Sequence, residues 1–483
     1  MELSRALTAA FVVFALTSCE SPSLPANGSA TSQQSAHHVG GAQLQPVHLS
    51  SGTPYIKHVV IVIQENRSFD DFFATFPGAD GTAGGCMIPP PGTVGSGGGG
   101  CPSTDEYVPL QEVNLIEPCD FGHGRQPFLL DYDGGLMDGF GESGNGPGCD
   151  GGHAGKAPYQ YVNPAKIQSY WDMAKQYVLA DHMFQTQGSG SFTAHQDLIA
   201  GTTTYNAAKT ESLIDFPSHM PWGCDAPQGT RSSILIDTGS YLKFEFHRGP
   251  FPCMHYPTLR DLLDAHGVSW KYYSPSDVGG TGKLWNAFDA IKAVREGPEW
   301  TTNIAHGALF FQDVAAKKLA AVSWIVPDAG DSDHPGHKDH GPSWVASIVN
   351  TIGESSYWDS TAIIVVWDDW GGFYDHVPPP FLDNWGGLGF RVPMIVLSPY
   401  AREAYPSTPG YVSHTPYEFG SILKFVEQNW NLGTLGATDQ RSTSIMDCFD
   451  FTQPPRSFTP IYQKEPRSYF LHKPPSYQPV DTE

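Results

Sequence analysis

Two short apolar runs, each followed directly by polar side chains, constrain the fold of this chain most strongly. Residues 59–63 and 361–367 are rich in Val and Ile and are too short for buried helices. They suit strands that are covered on both faces, as in open α/β sheets. In such sheets the ligand crevice lies beyond the carboxyl ends of the strands. Four polar residues stand at those ends: Glu65, Asn66, Asp368 and Asp369.

These four side chains indicate a cation site. A carboxylate beside a neutral amide oxygen, as in Glu65 and Asn66, is a suitable pair of hard ligands for a divalent cation. The adjacent carboxylates of Asp368 and Asp369 repel each other unless a cation or a proton lies between them. On spacing alone, residues 64–67 also fit a solvated strand exit before a helix start.

Other segments alternate between strand and helix patterns. Short apolar runs predict further strands at 269–274, 321–326 and 391–399. Helical spacing predicts helices at 164–181, 258–267 and 415–432. Strands that alternate with helices are typical of an α/β fold with a sheet between two helical layers.

Three loops offer groups for nucleophilic and acid chemistry. Residues 185–195 are small and hydroxyl-rich and lead into an apolar segment, so helix N-terminal amides near Ser191 would face an incoming phosphoryl group. The alternative is a Gly/Ser turn in which Ser191 caps the helix. Residues 328–340 hold His334 among other His and Asp residues, which also fits a His-rich surface loop. His123, near a carboxylate, is another candidate for binding phosphate. The alternative is that it is a plain surface residue.

Charge and cysteine content limit the class of protein. With 50 acidic and 27 basic residues, the net charge of −23 excludes a basic nucleic-acid footprint and predicts no attraction to anionic lipid. No two cysteines form a CxxC pair, so a zinc ribbon is not expected. Near neighbours are the simplest disulfide partners: Cys86 with Cys101, Cys119 with Cys149, and Cys224 with Cys253. Cys448 lies far from the others and is the expected odd thiol.

The N-terminal region predicts export. Arg5 and the apolar residues that follow it predict a signal peptide over residues 1–18. The junction that ends in Cys19 resembles the lipobox of bacterial lipoproteins, which predicts a lipid anchor at Cys19 and a periplasmic or cell-surface location. An ordinary cleaved signal is the alternative. Residues 19–52 are poor in large apolar side chains and predict a flexible tether. Residues 53–483 then form one globular domain with a Pro-rich C-terminal wrap.

Six motifs together resemble the bacterial phosphoesterase family of non-zinc phospholipases C and respiratory-burst-inhibiting acid phosphatases. They are Gln-Glu-Asn-Arg-Ser-Phe-Asp (64–70), Ser-Phe-Thr-Ala-His (191–195), Asp-His-Pro-Gly (333–336), Asp-Asp-Trp-Gly-Gly-Phe-Tyr-Asp-His-Val-Pro-Pro-Pro (368–380), Arg-Val-Pro to Ser-Pro-Tyr-Ala-Arg (391–402) and Ser-His-Thr-Pro-Tyr-Glu (413–418). The resemblance extends from about residue 55 to 432. It implies a three-layer α/β/α sandwich of the alkaline phosphatase/sulfatase type.

The resemblance also implies residue roles. It implies one divalent metal ion, calcium or another, whose ligands match Glu65, Asn66, Ser191, Asp368 and Asp369. Ser191 matches the nucleophile, and His123 and His334 match histidines that hold the phosphoryl group or assist the leaving group. Where this chain has Asp369 and Asp333, the family often has Glu, which shortens the reach of both carboxylates and leaves the identity of the metal open. His195, His340, His376 and His414 lie near matched motifs without an assigned role.

The expected activity is hydrolysis of a phosphoric ester through a phosphoserine intermediate, with a phospholipid or a small phosphate ester as substrate. Phospholipase C activity on diesters is the first expectation, and a broad acid phosphatase acting on monoesters is the alternative. A hypothesis of another class is an inactive lipoprotein that binds polyanions or a partner protein with the same fold.

Overall fold

A mixed eight-stranded sheet forms the centre of the computed structural model. The structure describes residues 55–90, 92–144, 149, 152–275, 282–336, 338–380, 385, 387–404, 410–474 and 476. The predicted signal peptide, the predicted lipid anchor at Cys19 and the tether lie outside the described residues. They therefore stay predictions.

The strands in chain order are β1 (His58–Gln64), β2 (Gly84–Met87), β3 (Glu106–Pro109), β4 (Gln111–Val113), β5 (Gln160–Val162), β6 (Val178–Ala180), β7 (Met183–Phe184), β8 (Glu211–Ile214), β9 (Ser233–Asp237), β10 (Leu242–Glu245), β11 (Trp270–Ser274), β12 (Ile304–His306), β13 (Val322–Ile325), β14 (Thr361–Trp367), β15 (Met394–Leu397), β16 (Tyr411–Ser413) and β17 (Tyr417–Glu418). The central sheet has the order β12-β11-β13-β1-β14-β15-β6-β16. Its middle strands β13, β1 and β14 are parallel, whereas β15 runs antiparallel to both of its neighbours.

The α-helices are α1 (Phe69–Phe73), α2 (Arg125–Tyr132), α3 (Gln168–Gln176), α4 (Ser191–Ala200), α5 (Leu259–Ala265), α6 (Lys292–Arg295), α7 (Glu299–Thr302), α8 (Leu309–Ala315), α9 (Gly341–Gly353), α10 (Phe419–Trp430), α11 (Thr438–Arg441) and α12 (Arg467–His472). Helices α3, α8 and α9 pack together, and α4 packs against α5 and α10. These are two separate helical layers.

Alternation along β11 shows that the sheet lies between those layers. The ring of Tyr272 packs edge-on against Phe288 near α4, and the ring of Tyr273 packs edge-on against Phe310 of α8. Because successive side chains of a strand point to opposite faces, both faces of the sheet are covered. The predicted three-layer α/β architecture is confirmed.

One predicted helix ends too late. The helix expected over residues 164–181 covers only Gln168–Gln176, and Val178–Ala180 forms the strand β6 between β15 and β16. Tyr177 leaves the helical region at φ −127° and ψ −145°. Pairing with two strands far along the chain overrides the local helical spacing here. The other predicted strands and helices are present, although the helix expected from residue 415 begins at Phe419.

The cysteine prediction is confirmed. The structure contains the disulfides Cys86–Cys101, Cys119–Cys149 and Cys224–Cys253, and Cys448 is a buried free thiol. The segment that follows α11 lies over α3 and α9, since Ser169 donates to the carbonyl of Tyr462 and Asn350 to that of Ile461. Within the described part of the chain, every helix is too short or too polar to cross a bilayer.

Candidate active site

The pairing of β1 with β14 brings the first two acidic residues together. Gln64 and Trp367 are the last register partners of these parallel strands, so Glu65 and Asp368 leave the sheet at the same level. Both side chains are fully buried. The backbone N–H of Asn66 donates to Oδ1 of Asp368 at 3.0 Å. The acidic residues expected at the carboxyl-end crevice therefore meet at the ends of β1 and β14.

A left-handed turn at Asn66 shapes this crevice. Asn66 has φ of 57°, a conformation that Asn adopts more readily than most residues. Gly371 approaches the turn so closely that a Cβ on it would lie 2.5 Å from the Asn66 carbonyl oxygen. Gly371 is itself left-handed, with φ of 62°. Only glycine fits that position, which explains the Gly after Asp-Asp-Trp.

His195 lies between the two buried carboxylates. Its Nε2 is 3.1 Å from Oε1 of Glu65 and 3.5 Å from Oδ2 of Asp368. Burial and the charge of Asp368 raise the pKa of Glu65 well above its usual value. Burial alone would raise the pKa of Asp368 as well. Hydrogen bonding with His195 and the charge of that ring instead lower it to about 2. Burial alone would lower the pKa of His195, but the two carboxylates beside it raise that pKa to about 10.

The same residues fit a divalent cation. Glu65 Oε2, Asn66 Oδ1 and Asp368 Oδ2 are buried oxygen atoms that accept no well-formed hydrogen bond, since the contact of Asp368 Oδ2 with His195 is long at 3.5 Å. Leaving such atoms unpaired is costly, and a hard cation satisfies them. Glu65, whose pKa is raised, would release its proton to solvent when a cation binds. The donor set therefore supports the predicted metal site.

A second acidic cluster lacks this property. Asp70, Asp375 and His376 also lie within reach of one another. However, Arg391 donates to Asp375 Oδ1 at 2.8 Å and to Asp70 Oδ1 at 3.1 Å. His376 donates to the remaining oxygen of Asp70. Arg391, His376 and the N–H of Asp70 already donate to all four carboxylate oxygens, so the cluster offers no open oxygen for a metal.

Ser191 is the first residue of α4, directly after the extended residue Gly190. Its hydroxyl does not cap the helix, so the alternative of Ser191 as an N-cap is wrong. Instead, Oγ donates to Oδ2 of Asp369 at 3.1 Å. Oδ1 of Asp369 accepts from the N–H of Gly371 at 2.8 Å, which orients the carboxylate. Ser191 thus joins the strand ends through Asp369, next to the amides of a helix N-terminus.

His123 and His334 lie at the same crevice, with ring centroids 6.3 Å apart. Nδ1 of His123 donates to the Phe121 carbonyl at 2.7 Å, and its Nε2 accepts from Nδ2 of Asn66 at 2.9 Å. This pairing makes His123 the neutral tautomer and directs Oδ1 of Asn66 away from it. Nδ1 of His334 lies 2.8 Å from the Pro335 carbonyl, and Trp285 stacks on the His334 ring.

Two residues of the first motif hold the His334 loop. Gln64 donates to the carbonyl of Asp331 and accepts from the N–H of Asp333. Buried Arg67 donates from Nε to the carbonyl of Asp333 at 2.8 Å. The Asp333 carboxylate itself points into the core, where it accepts from Tyr170. Glu65 and Asn66 of this motif therefore lie in the site, whereas the flanking Gln64 and Arg67 support the His334 loop.

All predicted site residues are thus brought together, and one further residue joins them. The structure adds His195, whose position four residues after Ser191 places both on one helix face. The four-residue spacing in the sequence is the feature from which His195 could have been predicted. The remaining histidines lie in other surroundings: His376 beside Asp70, His414 beside Asp181, and His340 beside Asp331.

Comparisons with known proteins find relatives that match over most of the chain. The model of the Phosphoesterase family matches residues 56–433 of the chain. The chain is 28% identical to phospholipase C A of Mycobacterium tuberculosis over 87% of its own length and 81% of that protein. It is 26% identical to phospholipase C B of the same organism over 91% and 85%, respectively. With the non-hemolytic phospholipase C of Pseudomonas aeruginosa the identity is 24%, over 85% of this chain and 59% of that protein.

Solved structures are more distant. A protein of the alkaline phosphatase superfamily from Vibrio parahaemolyticus has 9% sequence identity and a TM-score of 0.34, and the match covers 84% of this chain and 74% of that one. The superposition is partial at such a TM-score. The α/β class stated above therefore rests on the sheet of this chain.

Proposed function

The chain belongs to the phosphoesterase family, and on that premise we propose that it cleaves phospholipid phosphodiesters as a phospholipase C, with Ser191 as nucleophile. Hydrolysis of phosphoester bonds is the activity of the family. The relatives that match over most of this chain are named phospholipase C, which supports the diester as substrate.

The observation that carries the proposal is the contact between Ser191 and Asp369, beside three unsatisfied oxygens. A serine hydroxyl is a weak nucleophile at neutral pH and needs a base or a cation. Oδ2 of Asp369 accepts the Oγ hydrogen bond at 3.1 Å and is thereby placed to hold the proton. The N-terminus of α4 adds partial positive charge where the phosphoryl oxygens would lie.

Glu65, Asn66, Asp368 and Asp369 would hold the divalent cation. When bound, such an ion offsets negative charge on the phosphoryl group and lowers the pKa of a hydroxyl close to it. Calcium or another hard cation suits a set of carboxylate and amide oxygens.

The reaction proceeds in two displacements at phosphorus. Ser191 Oγ forms a bond to phosphorus while the bond to the alcohol oxygen breaks, and the serine proton passes to Asp369. His334 protonates the departing alcohol oxygen. Water then attacks the phosphoserine and passes a proton to His334, while the P–O bond to Ser191 breaks and Asp369 returns its proton to Oγ. Two in-line displacements give net retention of configuration, so inversion at a chiral phosphorus would contradict the phosphoserine.

We also propose that the enzyme is exported and attached to a membrane at Cys19. The apolar residues before Cys19 and the small residues at the junction support this location. Mass spectrometry of the N-terminal peptide of protein purified from membranes would detect a diacylglyceryl group on Cys19. A free thiol on a cleaved or uncleaved chain would contradict the anchor.

The function is tested by hydrolysis of p-nitrophenylphosphorylcholine and p-nitrophenyl phosphate by wild type and Ser191→Ala. Ser240→Ala, in an exposed turn, is the matched control. We expect turnover of the choline diester that falls at least about 10³-fold in Ser191→Ala and is unchanged in Ser240→Ala. Turnover of the monoester alone would establish the acid phosphatase alternative. Absence of both activities in cation-supplemented wild type would favour the binding lipoprotein.

A further inference from the structure

Large apolar side chains are exposed mainly in two segments, and both segments contact residues 188–190, named here the nucleophile turn. Six of them are named here the apolar rim: Leu129, Leu130, Leu136, Met220, Tyr241 and Phe246. Single exposed apolar residues are normal on a protein surface, but a concentration around one site marks an interaction surface.

The first segment is α2, whose two faces have opposite character. Arg125, Phe128 and Asp131 point inward, and Phe128 packs so closely on Gly188 that a Cβ there would lie 2.2 Å from its ring. The residues between them, Leu129 and Leu130, point outward and are about half exposed. A helix packed on residue 188 therefore presents leucines to solvent beside the turn that precedes Ser191.

The second segment is the three-stranded sheet β8-β9-β10 with its loops. It is joined to the nucleophile turn at Asp215, whose Oδ1 accepts from Oγ of Ser189 and from the N–H of Arg125 at 2.7 Å. Phe216 follows directly, and its ring packs edge-on against exposed Phe246 at 5.8 Å. Trp222 contacts Phe192, the neighbour of Ser191.

Asp215 thus ties both halves of the apolar rim to the nucleophile turn. Its carboxylate bonds α2 at Arg125 and the nucleophile turn at Ser189, and its chain continues into the aromatic sheet. A bilayer in contact with both segments would therefore lie beside the turn that precedes Ser191. The role inferred below for the apolar rim rests on the proposed function, in which the substrate is a phospholipid.

Charge in the second segment also favours a lipid surface. Residues 216–253 hold three acidic residues (Asp225, Asp237, Glu245) and three basic ones (Arg231, Lys243, Arg248), so their net charge is zero within a chain of −23. The strongly acidic remainder of the protein would be repelled by anionic lipid. The neutral, aromatic segment suits a zwitterionic surface, where aromatic side chains favour the headgroup region.

We propose that the apolar rim is an interfacial binding surface that inserts into a zwitterionic phospholipid bilayer and brings the lipid phosphate to Ser191. Leucines of α2 and the aromatic residues of the β8-β9-β10 sheet would enter the bilayer on either side of the entrance. This contact is separate from the predicted anchor at Cys19, which would only tether the protein.

The test is co-sedimentation of the full chain with phosphatidylcholine vesicles, in a background of Cys19→Ala and Ser191→Ala. The first change removes the predicted anchor and the second prevents lipid cleavage. Two paired variants are compared, Tyr241→Ser with Phe246→Ser and Leu129→Ser with Leu130→Ser. Tyr462→Ser, which is half exposed on the C-terminal segment, is the matched control.

We expect each paired variant to weaken vesicle binding by roughly tenfold or more, since each inserted side chain contributes several buried CH₂ groups. Tyr462→Ser should bind like its parent. Equal binding by the parent and both paired variants would overturn the proposal. Light scattering that shows a dimer in the parent and a monomer in the variants would also overturn it, because a second copy would then cover the apolar rim.

A second measurement separates this inference from the proposed function. With Ser191 restored, the paired variants should hydrolyse soluble p-nitrophenylphosphorylcholine like wild type, which also shows that they are folded. Hydrolysis of vesicle phosphatidylcholine should fall in parallel with binding. If wild type cleaves neither substrate, the proposed function fails while sedimentation still decides the surface. If a paired variant is unfolded, the single change Tyr241→Ser in an exposed turn carries the comparison.

Discussion

The hydroxyl of Ser191 and the carboxylate of Asp369 form a 3.1 Å hydrogen bond across 178 positions of sequence. Asp369 is held on its other side by the N–H of Gly371, and Gly371 fits only because it has no side chain. The hydroxyl and its acceptor are therefore positioned by two different elements, the start of α4 and the end of β14. The crevice requires both elements to be in place.

Replacing Asp369 tests this contact. We expect Asp369→Asn to lower kcat for the choline diester by about 10²–10⁴, because the amide accepts the serine proton poorly and binds a cation weakly. The double variant with Ser191→Ala should be no slower than Ser191→Ala alone, since the two residues act as a unit. Asp359→Asn, at an exposed site, is the control. Additive losses in steady-state rates would contradict the shared role.

Cation removal tests the three unsatisfied oxygens. We expect dialysis against a chelator to abolish activity and lower the melting temperature, because Glu65, Asn66 and Asp368 lose the ligand that satisfies them. Elemental analysis should find one tightly bound divalent ion per chain, and the Asp368→Asn variant should bind it far more weakly. A second tightly bound ion that is lost in Asp70→Asn would contradict the pairing of Asp70 with Arg391.

Arg67 is predicted to be a main structural support of the His334 loop. It is 1% exposed, and it bonds the carbonyls of Asp333 and Leu115 and the carboxylate of Asp71. Arg67→Lys cannot satisfy all three partners, so we expect a loss of about 3–5 kcal/mol in the free energy of unfolding by urea. Arg467→Lys, in a surface ion pair, should change it by less than about 1 kcal/mol. Equal effects would refute the assignment.

The stability of the fold should depend on pH through Asp131. Burial raises the pKa of this carboxyl from 3.8 to about 8, although Ser143 and Trp370 donate to it. The folded state thus binds a proton that the unfolded state releases. The stabilisation of the folded state by this bound proton is fully present below pH 3.8 and is lost as the pH rises through 8.

Asp131→Asn is expected to remove that dependence. Between pH 5 and pH 8 the wild type should lose on the order of 2–4 kcal/mol more unfolding free energy than the variant, at up to about 1.4 kcal/mol per pH unit. Urea titrations at both pH values, with Asp359→Asn as the exposed control, measure the difference. Parallel pH profiles for wild type and Asp131→Asn would show that Asp131 titrates normally.

Local patterns alone predicted several features of this molecule. The apolar runs predicted β1 and β14, and because carboxyl ends of parallel strands meet at one edge, Glu65 and Asp368 could be expected at a common crevice. Short spacing between cysteines in loops indicated the disulfides, since near neighbours along the chain meet with little loss of entropy. The roles of Ser191 and His334 came from the resemblance of motifs to a family.

Only the tertiary structure decided the remainder. The end of α3 at Gln176 depends on strands β15 and β16, which lie more than 200 residues away along the chain. The position of His195 between Glu65 and Asp368, and the support of the His334 loop by Arg67, depend on the order of strands in the sheet. Sequence periodicity reports which face of an element is buried. It does not report which distant element will cover that face, because crossover connections determine strand order.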